Sequence, residues 1–437
     1  MSTPIFRTTD DDFATTWTRL LARRDDADTS RVEESTRSIV DQVRFRKDAA
    51  LVTLTARFDR RPDVTAADLE IDRDAMRAGY DRLDAELRGA LERAAERIRR
   101  FHETQAAQLA DARMEEPGAT IELVVRPLAR VGIYVPGGTA TYPSTVLMNA
   151  IPAKVAGVDE VIMVSPAGGG EVADIVLAAA HLAGVDRLFT IGGAQAVAAL
   201  AFGTETVPAV DKIVGPGNAW VAEAKRQVFG FVDIDEIAGP SEVLIVADDS
   251  ADPEVLAADL LAQAEHDVRA AAILVTWDPR IAEQAAKAAN RQVAELPRHE
   301  QASQALANRG GVILARDADE AYALMNAYAP EHLGLATADP RASLDRVENA
   351  GAVFLGHHAP EALGDYNAGS NHVLPTGGAA RFGSPLSVHD FVRRMNVLDL
   401  DASALARLGP DAATLARAEG LEAHARAIEV RKGDEKR

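Results

Sequence analysis

The stretch "VIMVSPAGGGEVADIVLAAAHLAGVDRLFTIGGAQAVAALAFG", Val161 to Gly203, decides the fold. A β-branched run (VIMV) gives way to an alanine-rich run (DIVLAAAHLA), then to RLF, then to AQAVAALAF, with glycines at the changeovers. Apolar segments of strand length alternating with apolar segments of helix length mark a parallel sheet covered by helices. Downstream the alternation continues through "KIVGPG" and "NAWVAEAKRQVFG". A second series starts at "EVLIVADD" and runs through "PEVLAADLLAQAEHD", "AAILVTW", a helix from Pro279, "GVILAR", a helix ending near Tyr328, and "GAVFLG". Before about Glu122 the period is helical, as in "DAELRGALERAAERIRRFHETQ". The region from His357 to Pro385 reads as loop, and the tail from about Ser387 as helical and polar. The fold class is α/β: two doubly wound, incomplete Rossmann-like parallel-sheet domains with helical N-terminal and C-terminal extensions.

Bulk properties narrow the function. The 437 residues exceed one ordinary core, and a charged fraction of 26% with 47% hydrophobic residues is globular. A net charge of −20 spread along the chain offers nothing to nucleic acid or to an anionic membrane. Without cysteine there is no disulfide framework, thiolate metal site or cysteine nucleophile. No signal peptide and no membrane-length apolar run are visible, so a cytoplasmic protein is expected.

The strand-to-helix turns are the first candidates for binding. "GGGEVA" (Gly168 to Ala173) has dinucleotide-fingerprint spacing, but no acid follows at the distance that reads a ribose, and Asp186 comes too early. A plain turn is the favoured reading. "VPGGTATYPST" (Val135 to Thr145), "IGGAQA" (Ile191 to Ala196) and "VGPGNAW" (Val214 to Trp220) each lead from strand to helix, where α/β sheets bind ligands. Gln195 and Asn218 then stand at helix starts, able either to bond a ribose or nicotinamide or simply to cap the helix.

The histidines suggest a second kind of site. Gln263 and His266 in "LLAQAEHD" share one helix face and could hold a metal, although such a pair alone is more often solvated surface. Asp365 and His372 lie in the glycine-rich loop "GDYNAGSNHVLPTGG". Glu419 and His424 in "RAEGLEAHARA" are five apart, about 140° around a helix, so they cannot ligate from one face. Gly420 between them suggests a break. In "YAPEHL", Pro330 biases Ala329 away from helix, so Glu331 and His332 begin a new element at the rim of a sheet.

These residues together resemble the histidinol dehydrogenase family. The resemblance rests on "RVGIYVPGGTATYPSTVLMNAIPAKVAGV", "IGGAQAVAALAFGTETVPAVDKIVGPGNAWVAEAKRQVFG", "IAGPSEVLIVAD", "DLLAQAEHD", "YAPEHL", "GDYNAGSNHVLPTGGAARF" and "EGLEAHARA", in the family's order from about Val52 to Arg431. It implies an NAD-dependent, zinc-containing homodimer that oxidises L-histidinol to L-histidine through the aldehyde. By position it implies Gln263, His266, Asp365 and His424 as zinc ligands and Glu331 and His332 as the proton-transfer pair. Ser241 and His372 with Glu419 would touch substrate, as would His332 and the four ligands. Tyr134, Gln195 and Asn218 would line the NAD site, and the tail would complete the partner subunit's site.

Domain boundaries follow the same resemblance: an arm over 1–28, a discontinuous metal and catalytic domain over 29–129 and 239–386, an NAD domain over 130–238, and a tail over 387–437. The departures are Lys47 where the family usually has Gly, the unusual "HDVRAAA" after His266, and the absence of the family's common cysteines. Three rivals stand beside this reading: a zinc and NAD dehydrogenase of another small amino or sulfonated alcohol, a zinc hydrolase, and a non-catalytic binding protein.

Overall fold

The computed structural model describes residues 3–22, 29–137 and 141–432. Of the stretches read above, residues 1–2, 23–28, 138–140 and 433–437 lie outside the described residues.

Fifteen strands fall into three sheets among the described residues. The first sheet runs in the spatial order β1 (Ile5–Arg7), β12 (Gly311–Leu314), β11 (Ala271–Thr276), β10 (Glu242–Ala247), β13 (His332–Ala336), β14 (Ala352–Leu355), all parallel. The second runs β2 (Glu70–Ile71), β7 (Arg187–Phe189), β6 (Glu160–Val164), β5 (Arg130–Tyr134), β8 (Lys212–Val214), β9 (Asp233–Ile234), parallel except for β2. The third is an antiparallel ribbon of β15 (Val392–Leu400), β4 (Ala119–Pro127) and β3 (Ala112–Glu116).

The two parallel sheets share one topology. Outside their added edge strands, each places its strands in the order third, second, first, fourth, fifth, with the switch point between β10 and β13 in one and between β5 and β8 in the other. The α/β class with two doubly wound sheets is therefore the observed architecture. Central strands such as β10 and β11 are buried along their whole length, which is why they read as continuous apolar runs. Each buried Val, Ile or Leu there contributes roughly 1.5–3 kcal/mol. Several of the helices between strands start on an Asp-Pro pair, at Asp252, Asp278 and Asp339. In each the aspartate accepts N–H bonds of the first turn and the proline occupies the first helical position.

The domain partition differs from the sequence expectation. Residues 29–106 belong with the second sheet: helix Thr29–Phe58 packs on helices Gly193–Phe202 and Ala219–Val228, and helices Arg73–Arg82 and Ala85–Ala106 pack on Asp174–Ala183 and Pro143–Val155. β2 adds to β7 at that sheet's edge. The N-terminal arm is not purely helical, because β1 extends the first sheet against β12. Nor is the tail, whose β15 pairs over nine residues with β4.

Lys47 explains its own departure from the family pattern. It sits at a kink in helix Thr29–Phe58 with φ 51° and ψ −132°, a conformation that favours glycine. Its Nζ donates to the carbonyls of Phe202 and Gly203, at 2.9 and 2.8 Å, at the C-terminal end of the neighbouring helix. A cation on those orphan carbonyls offsets the backbone strain.

Candidate active site

Helix Ala318–Tyr328 ends on Ala329, whose φ of +50° is a left-handed cap with its N–H on Met325 O. Pro330 then bars further helix and His332 opens β13, opposite Val243 and Ala352. Glu331 and His332 thus begin a new element at the rim of the first sheet, as the proline implied. Gly351 packs directly behind: a Cβ there would lie 2.6 Å from the Glu331 carbonyl oxygen. This is the N-terminal edge of the sheet, opposite to the edge where α/β folds usually bind ligands.

Both members of the pair are buried. His332 Nδ1 lies 3.0 Å from the Glu242 carbonyl oxygen. A carbonyl can only accept, so Nδ1 carries the proton and Nε2 holds the lone pair. That Nε2 is enclosed, has no hydrogen-bond partner among the described residues, and stands 3.8 Å from Asp365 Oδ1. Glu331 Oε2 accepts the Glu242 N–H at 2.8 Å and is 3.6 Å from His332 Nδ1.

Further acids converge on the pair. Glu361 and Asp365 are one turn apart on helix Glu361–Tyr366, and Glu361 Oε1 is 3.6 Å from His332 Nδ1 while its Oε2 is enclosed without a partner. Asp259 and Gln263 are likewise one turn apart on helix Pro253–Ala264. Burial drives Glu331 and Glu361 well above the usual carboxylate range, and Asp365 and Asp259 each to about 6. Burial also drives His332 and His372 down to about 4. The low dielectric penalises charge of either sign. Several acids crowded together in that state are what a bound cation relieves.

Gln263 gives a more specific sign. Both atoms of its amide are buried, and neither has a partner among the described residues. His266 follows at the end of the same helix; it is exposed, and its charge is felt at both His332 and His372. Asp365 lies across the rim, its carbonyl oxygen 2.9 Å from His372 Nδ1. An orphaned amide oxygen, an imidazole and a carboxylate form a donor set that fits zinc. No group of three or more His, Cys, Asp or Glu is gathered as a metal cluster among the described residues; here only His266 and Asp365 are of those types. Ser241, half-buried, stands just before β10 on the same rim.

Glu419 and His424 do not join the rim within one chain. Both are exposed, on either side of a helix break at Gly420, φ +79°, and their helices pack on each other and on β15.

The glycine turns open on a separate space, at the C-terminal edge of the second sheet beside its switch point. A cavity of about 1200 Å³ is lined there by Tyr134, Gly192, Gly193, Gln195, Asn218 and Trp220, with its far wall formed by helix Thr29–Phe58. Tyr134, Gln195 and Asn218, far apart in the chain, therefore meet. Tyr134 Oη accepts the Gly193 N–H at 3.0 Å. Asn218 caps its helix through bonds to the N–H groups of Trp220 and Val221, so the cap reading holds while the residue also lines the cavity. Gly215 adopts φ +107°, and a Cβ there would fall 2.2 Å from the Tyr134 carbonyl oxygen. Its turn is clamped by a buried ion pair: Lys225 Nζ bonds Gly215 O at 3.1 Å and the Asp235 carboxylate, which accepts Gly215 N–H at 2.7 Å. The "GGGEVA" segment is a 3-10 turn with open space around Gly168 and Gly169, as the plain reading had it.

Sequence reasoning missed Glu361, Asp259, Glu242 and the helical far wall. The four-residue spacings Asp259–Gln263 and Glu361–Asp365 were the available signal, since each puts two polar groups on one helix face.

A buried imidazole with a free lone pair, acids beside it, and a nucleotide-sized cavity on a second Rossmann-like sheet make an oxidoreductase of the two-sheet α/β kind. The histidinol dehydrogenase family pattern matches residues 22–432. Histidinol dehydrogenases of Syntrophotalea carbinolica and Dechloromonas aromatica are 54% and 51% identical, over 92% and 97% of this chain and 93% and 98% of theirs. The crystal structure of histidinol dehydrogenase from Elizabethkingia anophelis superposes with a TM-score of 0.90 at 36% identity, covering 98% of each chain. The chain belongs to the histidinol dehydrogenase family. No helix among the described residues is long and apolar enough to cross a membrane.

Proposed function

We propose that the protein catalyses the NAD-dependent, four-electron oxidation of L-histidinol to L-histidine by way of L-histidinaldehyde. The observation that carries this reading is the enclosed, unpartnered Nε2 of His332, held in one tautomer by the Glu242 carbonyl and flanked by Asp365 and by Glu331. Gln263, His266 and Asp365 would hold zinc, with His424 of a second copy as the fourth ligand. When bound, zinc supplies a Lewis-acid anchor for substrate and NAD supplies the hydride acceptor.

The chain's own residues do the proton work. His332 Nε2 removes the hydroxyl proton of the alcohol, since its depressed pKa keeps it neutral and able to accept. The aldehyde is then hydrated, because only the gem-diol has a second hydride to give. Glu331 removes a proton from the attacking water, and His332 acts again on the diol hydroxyl. His372, with Glu419 of the second copy, reads the substrate's polar groups, and Ser241 lies on the same rim. Tyr134, Gln195 and Asn218 line the space for NAD. The protein works as a homodimer with shared sites, in the cytoplasm.

The test is NADH formation from L-histidinol by the full-length protein, before and after chelation and after zinc is restored. Two NADH per histidinol, lost on chelation and recovered with zinc, are expected. NADH formation untouched by exhaustive metal removal refutes the zinc assignment, and no histidinol-dependent NADH refutes the reaction.

A further inference from the structure

Asp59 follows the last turn of helix Thr29–Phe58, its N–H on Thr55 O at 2.9 Å, and its side chain lines the same cavity as Tyr134, Gly193 and Gln195. Its Oδ2 is enclosed, and neither carboxylate oxygen receives a hydrogen bond from any described residue. Arg61, the nearby cation, commits its guanidinium to Thr190 Oγ1 at 2.8 Å and to the carbonyls of Thr190 and Asp68. Desolvation pushes the Asp59 carboxyl up to about 6. A sequestered carboxyl with no donor costs stability, and such groups persist where a ligand supplies the missing bonds.

We infer that Asp59 reads the adenosine ribose of the dinucleotide, accepting the 2′- and 3′-hydroxyls, and so selects NAD over NADP. The inference rests on the NAD reading given above. Rossmann-like sites use an acid for this task, because a carboxylate accepts two vicinal hydroxyls and repels a 2′-phosphate. The usual place for that acid is blocked here: Asp186 is taken up by Lys154, Arg73 and the Val161 N–H. Asp59 brings a carboxylate to the cavity from the helical wall instead, which is why no fingerprint spacing announces it. Beside it the Phe58 ring is 46% exposed and lines the cavity too, a face on which adenine can lie. Glu34, the other acid of this wall, is exposed to water and has no unmet need for donors.

Calorimetric titration of the full-length protein with NAD, NADP, AMP and NMN decides the matter, comparing the parent with Asp59→Asn. The parent should prefer NAD over NADP. In Asp59→Asn the affinities for NAD and AMP should fall about 10- to 100-fold while those for NADP and NMN hold, so the preference narrows. The amide is isosteric, and the melting temperature should hold or rise. On the unaltered protein 2′-deoxy-NAD should show a loss in the same direction. Parallel losses for NAD and NADP, or a loss for NMN but not AMP, overturn the assignment. If the parent binds NAD and the variant binds it equally well, this inference alone falls; if the parent binds neither dinucleotide, the NAD reading falls and takes this one with it.

Discussion

Replacing Lys225 by methionine tests how the second sheet holds its cofactor turn. Lys225 is 1% exposed and the Asp235 side chain 5%, so the substitution strands a buried carboxylate. Removing one partner of such a pair typically costs about 3–5 kcal/mol. Asp235 would still accept the N–H groups of Gly215 and Glu236, both at 2.7 Å, which places the loss near the lower end, about 3 kcal/mol. For a unit of this size that is a fall of roughly 6–12 °C in melting temperature. The Gly215–Asn218 turn should loosen with it, raising KM for NAD more than it lowers kcat for histidinol. Scanning calorimetry and steady-state kinetics read the two effects. In Lys225→Met/Asp235→Asn no charge is left unpaired, so more than half the lost stability should return. A single variant that melts within about 2 °C of the parent, or a double variant no better than the single, refutes the clamp.

Two further outcomes follow from the acid–base rim and its supports. Glu331→Gln should leave oxidation of histidinol to the aldehyde within about tenfold of the parent and slow aldehyde oxidation by about a hundredfold or more, read by supplying each substrate separately; equal losses in both steps would remove the division of labour with His332. His102 is wholly buried, its Nδ1 on the Ile98 carbonyl and its Nε2 3.4 Å from Asn371, and burial lowers its pKa from 6.5. The unfolded chain therefore binds a proton first as pH falls. The stability this group allows is complete above pH 6.5 and erodes below it, by up to about 1.4 kcal/mol per pH unit. In His102→Gln denaturant melts should show a shallower acid slope by about that amount, and an unchanged slope would show that His102 does not titrate on unfolding.

Local apolar pattern made the two parallel sheets legible, because their strands are buried on both faces and their helices are alanine-rich. The ribbon of β3, β4 and β15 was not: every residue of β3 is exposed, and β15 finds β4 across more than half the chain. The packing of residues 29–106 on the second sheet is a tertiary choice with no local signature. At the rim, Pro330 announced a boundary and so exposed Glu331 and His332 to inspection. Glu361 was silent because its meaning lies in burial, and "EALGDY" reads as an ordinary helical turn. Asp59 was hidden for a different reason, since it reaches the cavity from a helix that precedes the whole sheet.

The opposed edges sort ligands by charge. The cavity at the second sheet faces the N-terminal ends of helices Gly193–Phe202 and Ala219–Val228, whose partial positive charge draws an anion such as a pyrophosphate. The rim of the first sheet faces the C-terminal ends of helices Pro253–Ala264 and Ala318–Tyr328, which together with its crowded acids draw cations. A protonated amine and a dinucleotide entering this molecule meet opposite fields. Each is steered to its own sheet, and neither gains by occupying the other's place.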